Sequence, residues 1–88
     1  MISTEVVITD PAGLHARPVS IITAEASKYE SSIMLEYGDK KANLKSLLSV
    51  MSLGVTANSK ICISAEGEDA ETAISNLTKL MKDNQLTE

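Results

Sequence analysis

The chain alternates strand-like segments with helical segments, and each long helical segment carries a single apolar stripe. The stripe is clearest near the C-terminus, where it comprises Ala70, Ala73, Ile74, Leu77, Leu80 and Met81. A second stripe with helical spacing comprises Val19, Ile22, Ala26 and Tyr29. A helix with one apolar stripe buries only one side. Such helices can cover one face of a sheet and leave the other face in water.

The remaining segments have the patterns of strands and of one short helix. Apolar and polar side chains alternate over residues 2–9, 33–37 and 61–65, as in strands that are covered on one side. Gly38 and Asp39 predict a hairpin turn, followed by a short polar strand over residues 40–43. A short helix is predicted over residues 44–53, with Ser46 at its N-cap and Gly54 at its C-terminal stop.

The predicted order of elements is β-α-β-β-α-β-α, in one domain that spans residues 1–88. We expect an α+β fold, a two-layer open-faced sandwich with a four-stranded antiparallel sheet and three helices on one face. Asp69 is expected to cap the last helix. The polar tail after Asp83 is expected to fray.

Composition excludes several classes of function. The net charge is −4, and the only aromatic residues are two tyrosines, so neither a basic face nor a base-stacking platform for nucleic acid is present. One cysteine and one histidine cannot form a disulfide or a four-ligand zinc site. We therefore expect no metal, no cofactor and no nucleic acid. With no signal peptide or membrane segment evident, a cytoplasmic monomer is expected.

The only histidine, His15, and the only arginine, Arg17, lie close together in the sequence. Gly13 and Pro18 flank them, and proline favours the first turn of a helix, so the stretch predicts a loop that ends at a helix N-terminus. There, unpaired N–H groups near Ala16 and Arg17 and the helix dipole favour a negative group such as phosphate. A neutral imidazole can act there as a nucleophile or a base. Spacing alone leaves open an ordinary solvated histidine.

Three stretches of the chain, in register, resemble HPr, the histidine-containing phosphocarrier family of the bacterial phosphotransferase system. They are the active-site signature Gly13-Leu14-His15-Ala16-Arg17-Pro18, the regulatory-serine region over residues 43–54, and the last strand over residues 63–67. The resemblance implies that enzyme I, charged by phosphoenolpyruvate, phosphorylates His15 on Nδ1. It implies that the phosphoryl group then passes to enzyme IIA domains for sugar uptake. The protein would thus be a carrier rather than an enzyme.

Within this resemblance, His15 accepts the phosphoryl group and Arg17 supplies positive charge and hydrogen-bond donors to its oxygens. Backbone N–H groups of Ala16 and Arg17 add to this stabilisation. HPr proteins often carry Ser or Asn at position 12, where a polar side chain helps to orient the imidazole. Here the residue is Ala12, and we expect a more loosely held ring.

Ser46 has two interpretations. As an N-cap it stabilises the short helix by about 1 kcal/mol and needs no other role. By resemblance it is the serine that HPr kinase/phosphorylase modifies, and its phosphate would place negative charge on the docking face and repel enzyme I. We expect partners to dock on Ser20, Leu47, Leu48 and Met51, with at least one of the last three exposed.

The alternative function belongs to another class. In it, the chain is a regulatory co-effector that acts through phosphorylated Ser46 on a transcription factor, such as a catabolite-control regulator, or on an enzyme. Regulatory paralogues of this kind lack the active histidine, so the presence of His15 favours the carrier. A small interaction module without transfer chemistry would not explain three collinear motifs.

Overall fold

The computed structural model describes all 88 residues, which form four strands and three helices. These are β1 (Ile2–Val7), α1 (Ala16–Ala26), β2 (Ser32–Tyr37), β3 (Lys40–Asn43), α2 (Leu47–Met51), β4 (Lys60–Glu66) and α3 (Ala70–Asp83). The strands form one antiparallel sheet in the order β1-β4-β2-β3. The helices cover one face of it, and the predicted open-faced sandwich is confirmed.

The core lies between the sheet and the helices. Strand alternation turns Ile61, Ile63 and Ala65 of the central strand β4 inward, each at most 1% exposed. The predicted stripes of α1 and α3 supply the other side of the core and are buried, except for Leu80 of α3 and Tyr29, which follows the end of α1; both are partly buried at the margin of the core. None of the helices has both the length and the apolar composition that a membrane span needs.

Three elements end earlier or begin later than the sequence predicts, and α1 is one of them because it ends at Ala26, before Tyr29. β1 ends at Val7, because Ile8 exchanges backbone hydrogen bonds with Asn58 and Ser59 of the loop before β4. α2 begins at Leu47 rather than at residue 44. Residues 44 and 45 form a turn instead, in which the N–H of Leu44 donates to the carbonyl of Ile33 and the N–H of Ser46 donates to the carbonyl of Asn43, each at 2.9 Å.

Asp69 occupies the N-cap position of α3, as predicted, but its side chain makes no capping hydrogen bond to the helix. Its carboxylate instead accepts hydrogen bonds from the N–H groups of Glu30 at 2.9 Å and Ser31 at 3.0 Å, and from the Ser31 hydroxyl. These donors, the Ser31 hydroxyl first, lower the pKa of Asp69 below its ordinary value of 3.8. Asp69 therefore fastens the turn between α1 and β2 to the start of α3.

The C-terminal tail does not fray as predicted. Leu86 is fully buried, and its N–H donates to the carbonyl of Met81 at 2.9 Å. Its own carbonyl accepts from the N–H groups of Thr9 at 2.8 Å and Asp10 at 3.4 Å. A single leucine in a polar tail has no periodicity to reveal this role. The tail is thus tied to the loop that precedes α1.

Replacing Asp69 by Asn should destabilise the fold at neutral pH and do so much less in acid. Because folding lowers the pKa of Asp69, its contribution is present above its ordinary pKa and is lost as the pH falls through the lowered value. Urea unfolding of wild type and Asp69→Asn at neutral and acidic pH measures this contribution. Glu68→Gln, the same charge change at an exposed neighbour, is the control. A difference between wild type and Asp69→Asn that stays constant with pH would contradict this role.

Replacing Leu86 by Ala should lower the free energy of unfolding by about 2–5 kcal/mol, the usual effect of truncating a fully buried leucine. Leu48→Ala is the matched control, because Leu48 is 82% exposed, and it should change stability by less than about 0.5 kcal/mol. Chemical denaturation of the two variants provides the comparison. Equal effects would show that the tail is not packed as described.

Candidate functional site

His15 is the N-cap residue of α1, with extended backbone angles of φ −104° and ψ 170°. Its side chain makes no capping hydrogen bond to the helix. The tight turn before it places Gly13 at φ +67°, where a Cβ would collide with the carbonyl oxygen of Val55. The N–H of Leu14 donates to that same oxygen at 3.1 Å. The loop that carries His15 is therefore packed against the segment that follows α2.

The imidazole of His15 contacts Asp10, a residue that the sequence analysis did not single out. Nε2 of His15 lies 3.1 Å from Oδ2 of Asp10, and the other carboxylate oxygen accepts the N–H of Ala12 at 2.9 Å. The Ala12 N–H, and after it the His15 contact, lower the pKa of Asp10. The expectation that Ala12 leaves the His15 ring loosely held is not confirmed, because Asp10 supplies the contact that orients the imidazole. An aspartate just before a turn and five residues before the histidine was the available signal.

Positive character comes from the first turn of α1. The N–H groups of Ala16 and Arg17 donate to no backbone carbonyl, as expected at a helix start. The Arg17 side chain is exposed and forms no ion pair. No acidic side chain occupies this turn. The helix dipole and the guanidinium therefore face the same solvent region as His15.

A shallow depression brings together the loop before α1, α1 itself and the end of α3. It is lined by Asp10, His15, Arg17, Pro18, Ile21 and Asn84. The sequence analysis missed Asn84, which ends α3 and donates from its side chain to the Leu80 carbonyl at 2.9 Å. It also missed Ile21, which is 40% exposed. His15 and Arg17 thus share one surface feature, as predicted.

The other predicted site residues lie on α1 and α2 and do not line this depression. Ser46 caps α2, as predicted, by accepting the N–H of Ser49 at 3.3 Å. The expectation of an exposed apolar residue on α2 is confirmed by Leu48, which is 82% exposed, and by Leu47 at 37%.

Two further residues of the predicted docking set are also partly accessible. Met51 is half-buried at the end of α2. Ser20 is exposed on α1, where its hydroxyl donates to the Arg17 carbonyl at 2.8 Å. Since α1 and α2 are in contact, these side chains lie on neighbouring helices.

Solved structures similar to this chain include phosphocarrier proteins. A histidine-containing phosphocarrier protein of Mycoplasma is 39% identical, with a TM-score of 0.97 and 99% of each chain covered. HPr from Thermoanaerobacter tengcongensis is 40% identical, with a TM-score of 0.91 and coverage of 100% of this chain and 99% of that one.

A third similar structure is Crh, a catabolite repression protein of Bacillus subtilis, which is 32% identical with a TM-score of 0.75. The match covers 99% of this chain and 100% of the Crh chain. Crh was described as a dimer with a swapped domain. The expected monomeric state of the present chain is therefore not confirmed.

The family comparison covers nearly all of the described fold. The matching family model is PTS-HPr, described as the PTS HPr component phosphorylation site, and it spans residues 2–83. Together with the two phosphocarrier structures, which are 39% and 40% identical to the chain, this match shows that the chain belongs to the HPr phosphocarrier family of the bacterial phosphotransferase system.

Proposed function

We propose that the protein, as one domain, accepts a phosphoryl group on His15 from phosphorylated enzyme I and passes it to enzyme IIA domains for sugar uptake. The observation that carries the proposal is the position of His15. Its side chain is 41% exposed at the N-cap of α1, beside an exposed and unpaired Arg17. The protein then acts as a cytoplasmic carrier that is itself phosphorylated and dephosphorylated, rather than as an enzyme.

The electrostatics of the site suit a group that must be held and then released. Unpaired N–H groups of Ala16 and Arg17, the helix dipole and the guanidinium all stabilise phosphoryl oxygens. Because Arg17 is exposed, water and salt weaken its attraction to the phosphoryl group. Exposure also lets the next protein reach the phosphorus atom. An enclosed site with several cations would bind the group more tightly and slow its release.

Docking of both partners is proposed on the neighbouring helices, through Ser20 of α1 and Leu47, Leu48 and Met51 of α2. Burying an exposed leucine in an interface contributes roughly 1.5–3 kcal/mol. Leu48 is the most exposed apolar side chain of this group. Its place on a helix in contact with α1 puts an apolar anchor near the proposed phosphorylation site.

Regulation through Ser46 is the second part of the proposal. The Ser46 hydroxyl caps α2 beside the N–H of Ser49, where a phosphate group is compatible with the helix. Phosphorylation by an HPr kinase/phosphorylase would add nearly two negative charges next to Leu47 and Leu48. Phosphorylated enzyme I carries negative charge on its own phosphoryl group, so we expect repulsion. The phosphorylated form would then be free for a catabolite-control regulator.

A second candidate function is regulation alone, as a co-effector that acts through phosphorylated Ser46. Similarity to Crh, a catabolite repression protein, supports it. The carrier is favoured because the chain has His15 and Arg17 together at the helix start.

His15→Ala should abolish transfer. Purified protein is incubated with enzyme I and phosphoenolpyruvate labelled with ³²P, and ³¹P NMR of a parallel reaction with unlabelled phosphoenolpyruvate reports the nitrogen that carries phosphorus. We expect label on wild type and none on His15→Ala. Glu71→Gln, at the far end of α3 from Asn84, is the folded control and should be labelled like wild type. Undiminished labelling of His15→Ala, or unlabelled wild type, would refute the carrier function.

Substitutions of Ser46 should separate its capping role from its regulatory role. Ser46→Ala should lower the free energy of unfolding by about 1 kcal/mol and leave transfer from enzyme I unchanged. Ser46→Asp keeps an N-cap acceptor but adds charge, so stability is retained. Its kcat/KM for transfer should fall by up to about fivefold, the effect of roughly 1 kcal/mol of repulsion.

Ser75→Asp introduces the same charge at an exposed position on α3 and is the control for Ser46→Asp. Steady-state assays with enzyme I give kcat/KM for both variants. If Ser46→Asp and Ser75→Asp transfer equally well, charge at Ser46 does not regulate docking.

A further inference from the structure

We propose that Asp10 is a positioning residue for phosphoryl transfer, which holds the His15 ring with its proton on Nε2 and leaves the Nδ1 lone pair facing the donor. The proposal rests on the carrier function proposed above and adds a residue to it. Its basis is the 3.1 Å contact between Nε2 of His15 and Oδ2 of Asp10. Nδ1 of His15 has no hydrogen-bond partner in the protein.

One backbone N–H holds the Asp10 carboxylate, and two further hydrogen bonds hold the backbone of Asp10. The second oxygen of the carboxylate accepts the N–H of Ala12 at 2.9 Å. The carbonyl of Asp10 accepts the N–H of Gly13 at 2.8 Å. The N–H of Asp10 donates to the carbonyl of the buried Leu86 at 3.4 Å. The side chain is 20% exposed, so solvent competes little for its oxygens. A carboxylate held in this way can fix the orientation of the ring next to it.

The ionisation state of Asp10 decides which nitrogen of His15 carries the proton. Hydrogen bonds from Ala12 and His15 hold the pKa of Asp10 below its ordinary value, so the carboxylate is ionised near neutral pH. An ionised carboxylate only accepts hydrogen bonds. Its contact with Nε2 therefore requires a donating Nε2–H. In a neutral imidazole, the other nitrogen then has the free lone pair and is the nucleophile.

This arrangement lets transfer occur without moving a proton. The Nδ1 lone pair of His15 forms a bond to phosphorus, while the phosphorus–nitrogen bond of the donor histidine breaks and its electron pair returns to the donor ring. The His15 ring becomes an imidazolium that keeps its Nε2 proton, and the Asp10 carboxylate stabilises the new positive charge. When the phosphoryl group passes on to the next protein, the electron pair of the Nδ1–phosphorus bond returns to Nδ1, and the His15 ring is neutral again. Carboxylates beside catalytic histidines in hydrolases fix the tautomer in the same way.

Asp10→Asn tests this role, because the amide can keep the loop and reverse the tautomer. Its carbonyl oxygen can still accept the N–H of Ala12, which turns the NH₂ group towards His15. A donor opposite Nε2 favours a lone pair there and moves the ring proton to Nδ1. Asp10→Ser is the matched control: its shorter side chain can accept from the Ala12 N–H but does not reach His15.

The tautomer is read from the ¹⁵N chemical shifts of the His15 ring in the free protein, at a pH where the ring is neutral. We expect mainly Nε2–H in wild type, mainly Nδ1–H in Asp10→Asn and a mixture in Asp10→Ser. Stability should be nearly unchanged in Asp10→Ser. The same tautomer in wild type and Asp10→Asn would overturn the proposal.

Transfer from enzyme I provides the second measurement. We expect kcat to fall about tenfold or more in Asp10→Asn, with KM for the carrier unchanged because the docking helices are untouched. If wild type and Asp10→Asn have equal kcat values and wild type is labelled on His15, the role of Asp10 is overturned and the carrier function stands. Unlabelled wild type would refute the carrier function, whereas the tautomer measurement needs no enzyme I and decides the Asp10 contact independently.

Discussion

The site depends on one backbone carbonyl that joins the two ends of the chain by hydrogen bonds. The carbonyl of the fully buried Leu86 accepts the N–H groups of Thr9 and Asp10. These hydrogen bonds hold the start of the loop that leads to His15, and the packing of Gly13 against Val55 holds its end. A loop without such contacts would spread the imidazole over many orientations, at an entropic cost to any reaction that needs one.

Asp10 and Arg17 place opposite charges in the depression that contains His15. Asp10 contacts Nε2, whereas Arg17 and the first-turn N–H groups lie at the helix start without a partner. A phosphoryl group on the other ring nitrogen could thus meet positive groups while the carboxylate stays on the far side of the ring. The separation matters because a carboxylate next to the phosphoryl oxygens would repel them.

The secondary structure was largely predictable because periodicity reports burial on one face. The helical spacing of Ala73, Leu77 and Met81 and the alternation along β4 both survive in the fold. The ends of the helices and strands were less predictable because they depend on hydrogen-bond partners that lie elsewhere in the chain. The turn at Leu44 includes a hydrogen bond to Ile33, and the helical spacing of the leucines gives no sign of it. Asp69 occupies the predicted N-cap position, but its carboxylate accepts hydrogen bonds from donors 38 and 39 residues earlier in the chain instead of capping the helix.

By itself, the sequence determined the order of the elements, the buried side of α1 and α3, the exposure of at least one apolar residue of α2, and His15 with Arg17 as the candidate site. All of these depend on residues that are neighbours along the chain. Only the tertiary structure decided that Asp10 contacts the imidazole, that Asn84 lines the same depression, and that Leu86 anchors the loop. The physical reason is that such contacts join side chains and carbonyls through turns and chain ends, where no repeating pattern exists for the sequence to display.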